Sequence, residues 1–395
     1  MIVLTVLICY LLLAVGTVAM FVWLFVEQRR HARNLAKIPV RIMVNGIRGK
    51  SSVTRLCAGA MRTSPHAVVV AKTTGSAARF IGPDASESPI SRKHGTVNVI
   101  EQVGVVRRAA ELGAVCLVVE CMAVDPNLQE LNQRKLIRSN VGVITNVRED
   151  HVEEMGPTLE DIARSLSRSM PAGGVCFTAE REYFDVLADE ARKRDCTLVP
   201  VEPDEVTDAE MAGFGWVTFK ENVALALAVA THAGIPRHQA LWGMYAAPPD
   251  PGVLRVERRW FGAMELQAVN LFAANDPTST LMNIELLNLA GRDLHLVINC
   301  RPDRIERNAQ MGAIVDRIDP SLVFLIGTPT RSARRAIAAS HRSRVVDLGG
   351  DTHTGQSLLE GIGRWLRPAT TLLMIGNIHG QGEHLLAALG MGSRC

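Results

Sequence analysis

The sequence predicts an α/β protein in three parts: an N-terminal transmembrane helix, a large domain built on a parallel sheet, and a smaller C-terminal α/β domain. Three observations predict it. Residues 1–26 carry no charged side chain, short apolar runs alternate with segments of helical spacing from residue 39 onward, and a Pro-rich break, Ala-Ala-Pro-Pro-Asp-Pro-Gly, falls at 246–252. Alternating strand and helix makes a parallel sheet covered by helices. The 395 residues suffice for two domains, at roughly 100–200 residues each. The boundaries expected are 1–26 for the span, 27–38 for a basic juxtamembrane linker, 39–250 for the larger domain and 251–395 for the smaller.

The first element is the span. The run from Ile2 to Val26 exceeds the roughly 20 residues that cross a ~30 Å hydrocarbon core. Trp23 and Phe25 stand near its end, and Glu27, Arg29, Arg30, His31, Arg33 and Lys37 follow. Basic residues after the span and none before it put the remainder in the cytoplasm. A cleaved signal peptide has a shorter apolar stretch and the opposite charge order. No second run of similar length follows.

After Pro39, residues 41–44 read as a buried strand and 49–61 as a helix. Strands are expected at 67–71, 114–119 and 141–145, with a helix over 97–112. Residues 158–170 read as a helix opened by a Thr158-x-x-Asp161 capping box. Beyond the break, strands are expected at 266–271, 294–299, 322–326, 344–346 and 371–375, and helices at 278–289 and 305–318.

Composition excludes several classes. With 47% apolar and 21% charged residues the chain is not disordered. A net charge of +3 and 5% aromatic residues provide neither a basic footprint nor a stacking platform, so nucleic acid is not an expected partner. The eight Cys form no C-x-x-C pair. They read as buried or free thiols, and zinc is not expected.

The first chemical signal is Gly46-x-x-Gly49-Lys50-Ser51, between a strand and a helix. A Gly-rich turn at a helix N-terminus presents backbone N–H groups to phosphate. Lys50 supplies a point charge, and the Ser51 hydroxyl suits Mg²⁺. The full Walker spacing would need Gly at the position of Val44, so the loop is a shortened variant. Asn45, Glu120 and Asn146 fall at carboxyl ends of strands, where α/β sheets gather ligands. A buried strand-end Glu needs a partner or a metal. His151, next to Asp150, offers a ring nitrogen to a metal. Taken singly, Glu120 reads more readily as a salt-bridge or cap partner, and Asp150-His151 as a loop feature. Their joint placement behind a phosphate loop singles them out.

In this order, Gly-x-x-Gly-Lys-Ser, the strand-end Glu and Thr145-Asn146-x-x-x-Asp150-His151 resemble the Mur ligase superfamily. The resemblance narrows to the ligase subunit of poly-γ-glutamate synthase through the stretches at 45–51, 72–75, 120–124, 149–159, 247–252, 272–280, 299–304 and 376–380. It implies a Mur-ligase-like P-loop ATPase domain. It also implies an ATP-dependent amide ligase that extends poly-γ-glutamate through an acyl phosphate, with ATP and Mg²⁺ as cofactors.

By the resemblance, Lys50, Glu120, His151 and Arg301 are catalytic, and Ser51, Glu120 and His151 hold the metal. Asn45, Gly46, Arg48, Gly49, Lys50, Ser51, Ser52, Thr74, Asn146, Asn275, Asp276, Arg301 and Asp303 bind nucleotide, with Asn146 near the adenine. The partners implied are glutamate, the growing polymer, the membrane and small integral-membrane subunits that export the product, with the catalytic domains on the cytoplasmic side of the cell membrane. One departure stands out. Many Mur ligases carry a carbamylated lysine in the helix after the Asp-His motif, whereas no Lys lies between His151 and Lys193 here. Arg164 or Arg168 is the candidate replacement charge. Asn377 and His379 carry no role derivable from the residues. The alternatives are a membrane-tethered ATPase regulator of a partner complex and a folylpolyglutamate or other Mur-type ligase.

Overall fold

A computed structural model describes residues 2–65, 67–74, 78–90, 98–250, 254–262, 264–272, 274, 276–287, 289 and 293–391. It divides into two compact units, Met1–Pro248 and Pro249–Cys395.

The first unit begins with one continuous helix, Ile2–Ala36. The expected basic linker is therefore helical up to residue 36. Its Gln, Arg, Ala and Leu residues are good helix formers, and the first breaker is Pro39. From Tyr10 to Val26, and at Leu4, Leu7 and Ile8, the large apolar side chains of this helix are exposed, and its apolar stretch is long enough to cross a membrane. Its last turn behaves differently. Leu35, followed by Ile38 just past the helix end, is buried in a core with Val106, Ala109, Leu117 and Ile137.

The strands of the first unit are β1 (Val40–Asn45), β2 (Val69–Thr73), β3 (Arg79–Ile81), β4 (Glu87–Pro89), β5 (Cys116–Glu120), β6 (Val141–Ile144), β7 (Val175–Thr178) and β8 (Thr197–Pro200). Among the described residues they form one sheet in the order β4-β3-β2-β5-β1-β6-β7-β8. All neighbours are parallel except at β3, which runs antiparallel to both β2 and β4. β1 lies between β5 and β6, and its last four residues are fully buried. This explains its uninterrupted apolar run. On one face the helix Lys50–Met61 packs with Lys220–His232 and Arg237–Tyr245 through Val53, Leu56, Val223, Leu227 and Met244.

The strands expected at 67–71 and 114–119 are present, each shifted two residues or fewer toward the carboxyl end. The Thr158 box forms as expected. Thr158 Oγ1 accepts from the Asp161 N–H at 3.1 Å, and Asp161 accepts from the Thr158 N–H at 3.2 Å. The helix stops at Leu166, because Ser167–Ser169 tightens into a 3₁₀ turn. The β3–β4 hairpin and strands β7 and β8 were not expected. Three- and four-residue strands carry too little periodicity to be seen.

The second unit contains β9 (Arg255–Phe261), β10 (Met264–Asn270), β11 (Leu294–Cys300), β12 (Leu322–Gly327), β13 (Val345–Asp347) and β14 (Thr371–Gly376). Their order among the described residues is β13-β12-β11-β14-β10-β9, parallel except for β9. The five strands expected here are all present. β9, an antiparallel edge strand, is additional. β11 is buried at every position and is the centre of the unit's packing, with Val297 against Phe324, Leu372 and Leu385.

Candidate active site

The site of the first unit is built where β1 ends. Asn45 closes the strand, residues 46–49 turn, and the helix starts at Lys50. Gly46 has φ +128°, and a Cβ there would lie 2.1 Å from Thr145 Oγ1. Gly49 has φ +83°, and its Cβ would lie 2.6 Å from Asn222 Oδ1. Both positions combine a left-handed backbone with close neighbours, so only Gly serves.

The turn is pinned from behind. Asn146 Oδ1 accepts from the Arg48 N–H at 3.0 Å, and Asn146 Nδ2 donates to the Arg48 carbonyl at 3.1 Å. Thr145 Oγ1 donates to the same carbonyl at 2.6 Å. Asn146 thus spends its amide on the loop main chain. Asn45 is buried, and its amide donates to Gln129 Oε1 at 2.8 Å and Ser169 Oγ at 2.9 Å. It locks the end of β1 against neighbouring elements.

Lys50 curls into the loop, donating from Nζ to the carbonyls of Gly46 at 2.7 Å and Ile47 at 3.1 Å. Desolvation pulls its pKa below the usual lysine value, and the neighbouring Glu120 opposes that shift. A cation so placed has few competing water contacts and interacts strongly with an arriving anion. Ser51 Oγ donates to Glu120 Oε2 at 2.7 Å, and the Thr74 N–H donates to the same oxygen at 2.7 Å. Glu120, at the end of β5, is almost fully buried. Ser52 follows, half-buried in the first turn of the helix.

A cleft of about 160 Å³ opens over this turn, lined by Asn45, Gly46, Arg48, Lys50, Thr74 and Cys121, with Asp150 and His151 on its far wall. Arg48 Nη2 is 3.2 Å from Asp150 Oδ2, an ion pair that joins the loop to the Asp-His motif. His151 has φ +50° and precedes the short helix Val152–Met155. Its half-exposed ring lies 3.9 Å from carboxylates of Asp150 and Glu154. Burial raises the Cys121 thiol above its usual pKa, so it stays protonated and is no nucleophile.

Ser51 and Glu120 are hard oxygen donors already in contact, a chemistry that fits Mg²⁺ shared with phosphate and water. Among the described residues no three His, Cys, Asp or Glu side chains gather as a metal cage. Neither arginine considered as a lysine replacement faces this site. Arg164 pairs with Glu160 and Glu190, and Arg168 with Glu130.

In the second unit, Asn275 lies outside the described residues. Asp276 Oδ1 accepts from the Ser279 N–H at 2.8 Å and so caps the helix Pro277–Leu287. Arg301 and Asp303 form a two-pronged pair with each other at 2.9 Å. Asn299 Nδ2 donates to the carbonyls of Asn377, at 2.5 Å, and His379, at 2.9 Å. His379 Nδ1 is 2.9 Å from Glu383 Oε1.

The sequence reading does not single out Gln129 and Ser169, which hold the Asn45 amide, or Asn222, which packs close to Gly49. Asn222 had a visible signal, being a buried polar residue in the otherwise apolar run Asn222–Ala230.

Residues 44–227 match the Mur ligase middle domain, and residues 256–391 match the poly-gamma-glutamate synthase CapB C-terminal domain. The chain is 37% identical over 390 residues to the capsule biosynthesis protein CapB of Bacillus anthracis, covering 95% of this chain and 82% of that protein. It is 35% identical over 385 residues to the PGA synthase CapB of Bacillus subtilis (strain 168), covering 96% and 95%. A bifunctional folylpolyglutamate synthase/dihydrofolate synthase solved with Mn, AMPPNP and L-glutamate shares the fold at TM-score 0.67 and 15% identity, over 92% of this chain and 93% of that one. MurF from Acinetobacter baumannii does so at TM-score 0.63 and 14% identity, over 92% and 78%.

Proposed function

Because this chain belongs to the CapB family of poly-γ-glutamate synthases, we propose that it lengthens poly-γ-glutamate one glutamate at a time. It is an ATP-dependent acid–amino-acid ligase. The γ-carboxylate at the polymer end attacks the terminal phosphorus of ATP, ADP leaves, and an acyl phosphate forms. The amine of the incoming glutamate then attacks the acyl carbon. Phosphate leaves, the amine gives up a proton, and the amide bond is complete.

The obstacle is charge, since a carboxylate must approach a polyphosphate. The residues of the loop answer it. The first N–H groups of the helix Lys50–Met61 and the turn before it face the phosphates. Lys50 brings its ammonium into the loop, where electrostatic stabilisation of the phosphates is strongest. Arg48, held by Asp150, places a second cation at the mouth of the same cleft. Mg²⁺ bound with ATP supplies further charge neutralisation, and Ser51 and Glu120 are the residues that would hold it. His151 stands at the far wall, placed to orient what enters.

The observation that carries this reading is the turn itself: two glycines that admit no side chain, a desolvated Lys50, and Ser51 bonded to Glu120. The test is ADP release by the purified full chain with and without glutamate, with the linkage of the product read by mass spectrometry. Release that requires glutamate and yields γ-linked product is expected. Hydrolysis indifferent to glutamate would instead make the chain a tethered ATPase.

The same proposal places the apolar part of the first helix, up to Val26, in the cell membrane, with both units on the cytoplasmic side beside integral-membrane subunits that receive the polymer. Support comes from the exposed apolar surface between Leu4 and Val26 and the cations that follow it. Resistance of the membrane-bound chain to alkaline extraction is the expected result.

A further inference from the structure

We propose that the stretch Arg134–Arg138 of the first unit seats on anionic lipid headgroups beside the anchor, so that this unit lies against the bilayer. The inference rests on the membrane reading above and goes beyond it.

Two contacts tie the stretch to the anchor helix and to the strand that follows it. His31 Nε2 is 2.9 Å from the carbonyl oxygen of Leu136, 105 residues away in sequence. Arg41 Nε donates to the Arg138 carbonyl at 2.8 Å. Depth then follows from helix geometry. His31 lies five residues past Val26, the last residue of the apolar run, or about 8 Å along the axis. A headgroup layer occupies about 5–8 Å on each side of the hydrocarbon. Leu136 is therefore held at the level of the headgroups, and its neighbours with it.

Those neighbours are cations. Arg134, Lys135 and Arg138 are exposed, as are Arg30 and Arg33 on the helix and Lys37 just past its end. Among the described residues no ion pair engages Arg30, Arg33, Lys37, Lys135 or Arg138. Arg134 alone is neutralised, by Glu130 at 2.9 Å. The exposed Leu131 precedes them on the same stretch, an apolar side chain of the kind that enters an interface. Two segments far apart in the chain thus bring unpaired cations to one depth, complementary to an anionic leaflet whose attraction extends over about one Debye length, roughly 8–10 Å.

The test is a lysine-acetylation footprint of the full chain in lipid nanodiscs, read by mass spectrometry. One set of discs is phosphatidylcholine, and the other includes about one-third phosphatidylglycerol. Lys193, exposed and paired with Glu190, is the internal control. Lys135 is expected to react at least about threefold more slowly on the anionic discs, with Lys193 unchanged. Raised salt and the double variant Arg134→Gln/Arg138→Gln should both restore its reactivity. Equal reactivity of Lys135 on both discs, with the chain firmly inserted, overturns the docking alone. A chain that does not stay with either disc overturns the anchor and the docking together. Slowing by soluble polyglutamate and not by anionic lipid overturns the proposal in favour of a polymer-binding strip.

Discussion

The carboxyl ends of the two sheets differ in how far they are prepared. In the first unit the turn after β1 is fully braced. Both Arg48 main-chain groups are taken by Asn146, Lys50 is folded into the loop, and Ser51 already touches Glu120. In the second unit Arg301 and Asp303, the residues expected at the nucleotide, hold each other at an exposed position. A rigid phosphate cradle lowers the cost of organising charge at the moment of reaction. A self-paired arginine is different: it must give up one partner to gain another. Under the proposed function, the first unit is the prepared side, and the second has a cation that is already paired.

The sharpest way to break that contrast is Lys50→Ala. It removes the desolvated cation, and a loss of about 10²–10³-fold or more in glutamate-dependent ADP release is expected, with membrane insertion intact. Turnover near wild type would mean that the phosphate sits elsewhere. Next is Glu120→Gln, which keeps an oxygen for Ser51 and the Thr74 N–H but removes the charge. About a tenfold to hundredfold loss is expected, partly relieved by higher Mg²⁺, since a weakened metal site refills by mass action. A loss indifferent to Mg²⁺ would mean that Glu120 acts only as a brace.

Arg301→Ala sharpens the other side. If the second unit contributes in the reaction and not in initial binding, kcat should fall about tenfold while nucleotide affinity, measured by calorimetry, stays within about twofold. Asp303→Ala should leave kcat near wild type, because it frees Arg301 without removing it. Equal losses in the two variants would show that the pair is structural.

Much of this was legible in advance, and the reason lies in locality. Gly46, Gly49, Lys50 and Ser51 fall within one six-residue stretch, so the strand-to-helix corner is written locally. The capping box at Thr158 and Asp161 is local in the same way. The brace is not local. Gln129 and Ser169 reach Asn45, and Asn222 reaches Gly49, from elements far along the chain, and of the three only Asn222, a buried polar residue in an apolar run, carries a local mark. Asn146 was marked, yet its amide serves the main chain of Arg48, because strand-end position identifies the place and not the partner. The junction of helix and first domain is likewise illegible locally. Residues 27–36 read as a polar linker, but they are helical, and Leu35, next to the last residue of the helix, is buried in the first unit's core.

The smallest expected effect concerns what supports the braced side. Glu210 caps its own helix by accepting from the Thr207 N–H at 2.8 Å, and it pairs with Arg237 at 2.8 Å. Arg237 opens the helix Arg237–Tyr245, whose Gly243 meets Gly59 of the loop helix backbone to backbone, since a Cβ on Gly243 would lie 2.3 Å from the Gly59 carbonyl. The Arg237 hydrogen bonds hold the Glu210 carboxyl down at about 2, against an ordinary 4.5. A carboxyl with a depressed folded-state pKa stabilises above its unfolded value and loses that contribution as pH falls. The window here is therefore from about 4.5 down to about 2. The Arg237 side chain is 43% exposed, so solvent screening reduces the contribution to about 0.5–1 kcal/mol at neutral pH. Glu210→Gln should lower the unfolding free energy of the first unit by that amount at pH 7 and by almost nothing near pH 2, as read from denaturant titrations at the two pH values. A deficit equal at both would assign the effect to the lost cap geometry, and would leave the charge pair without a part in holding the phosphate-loop helix.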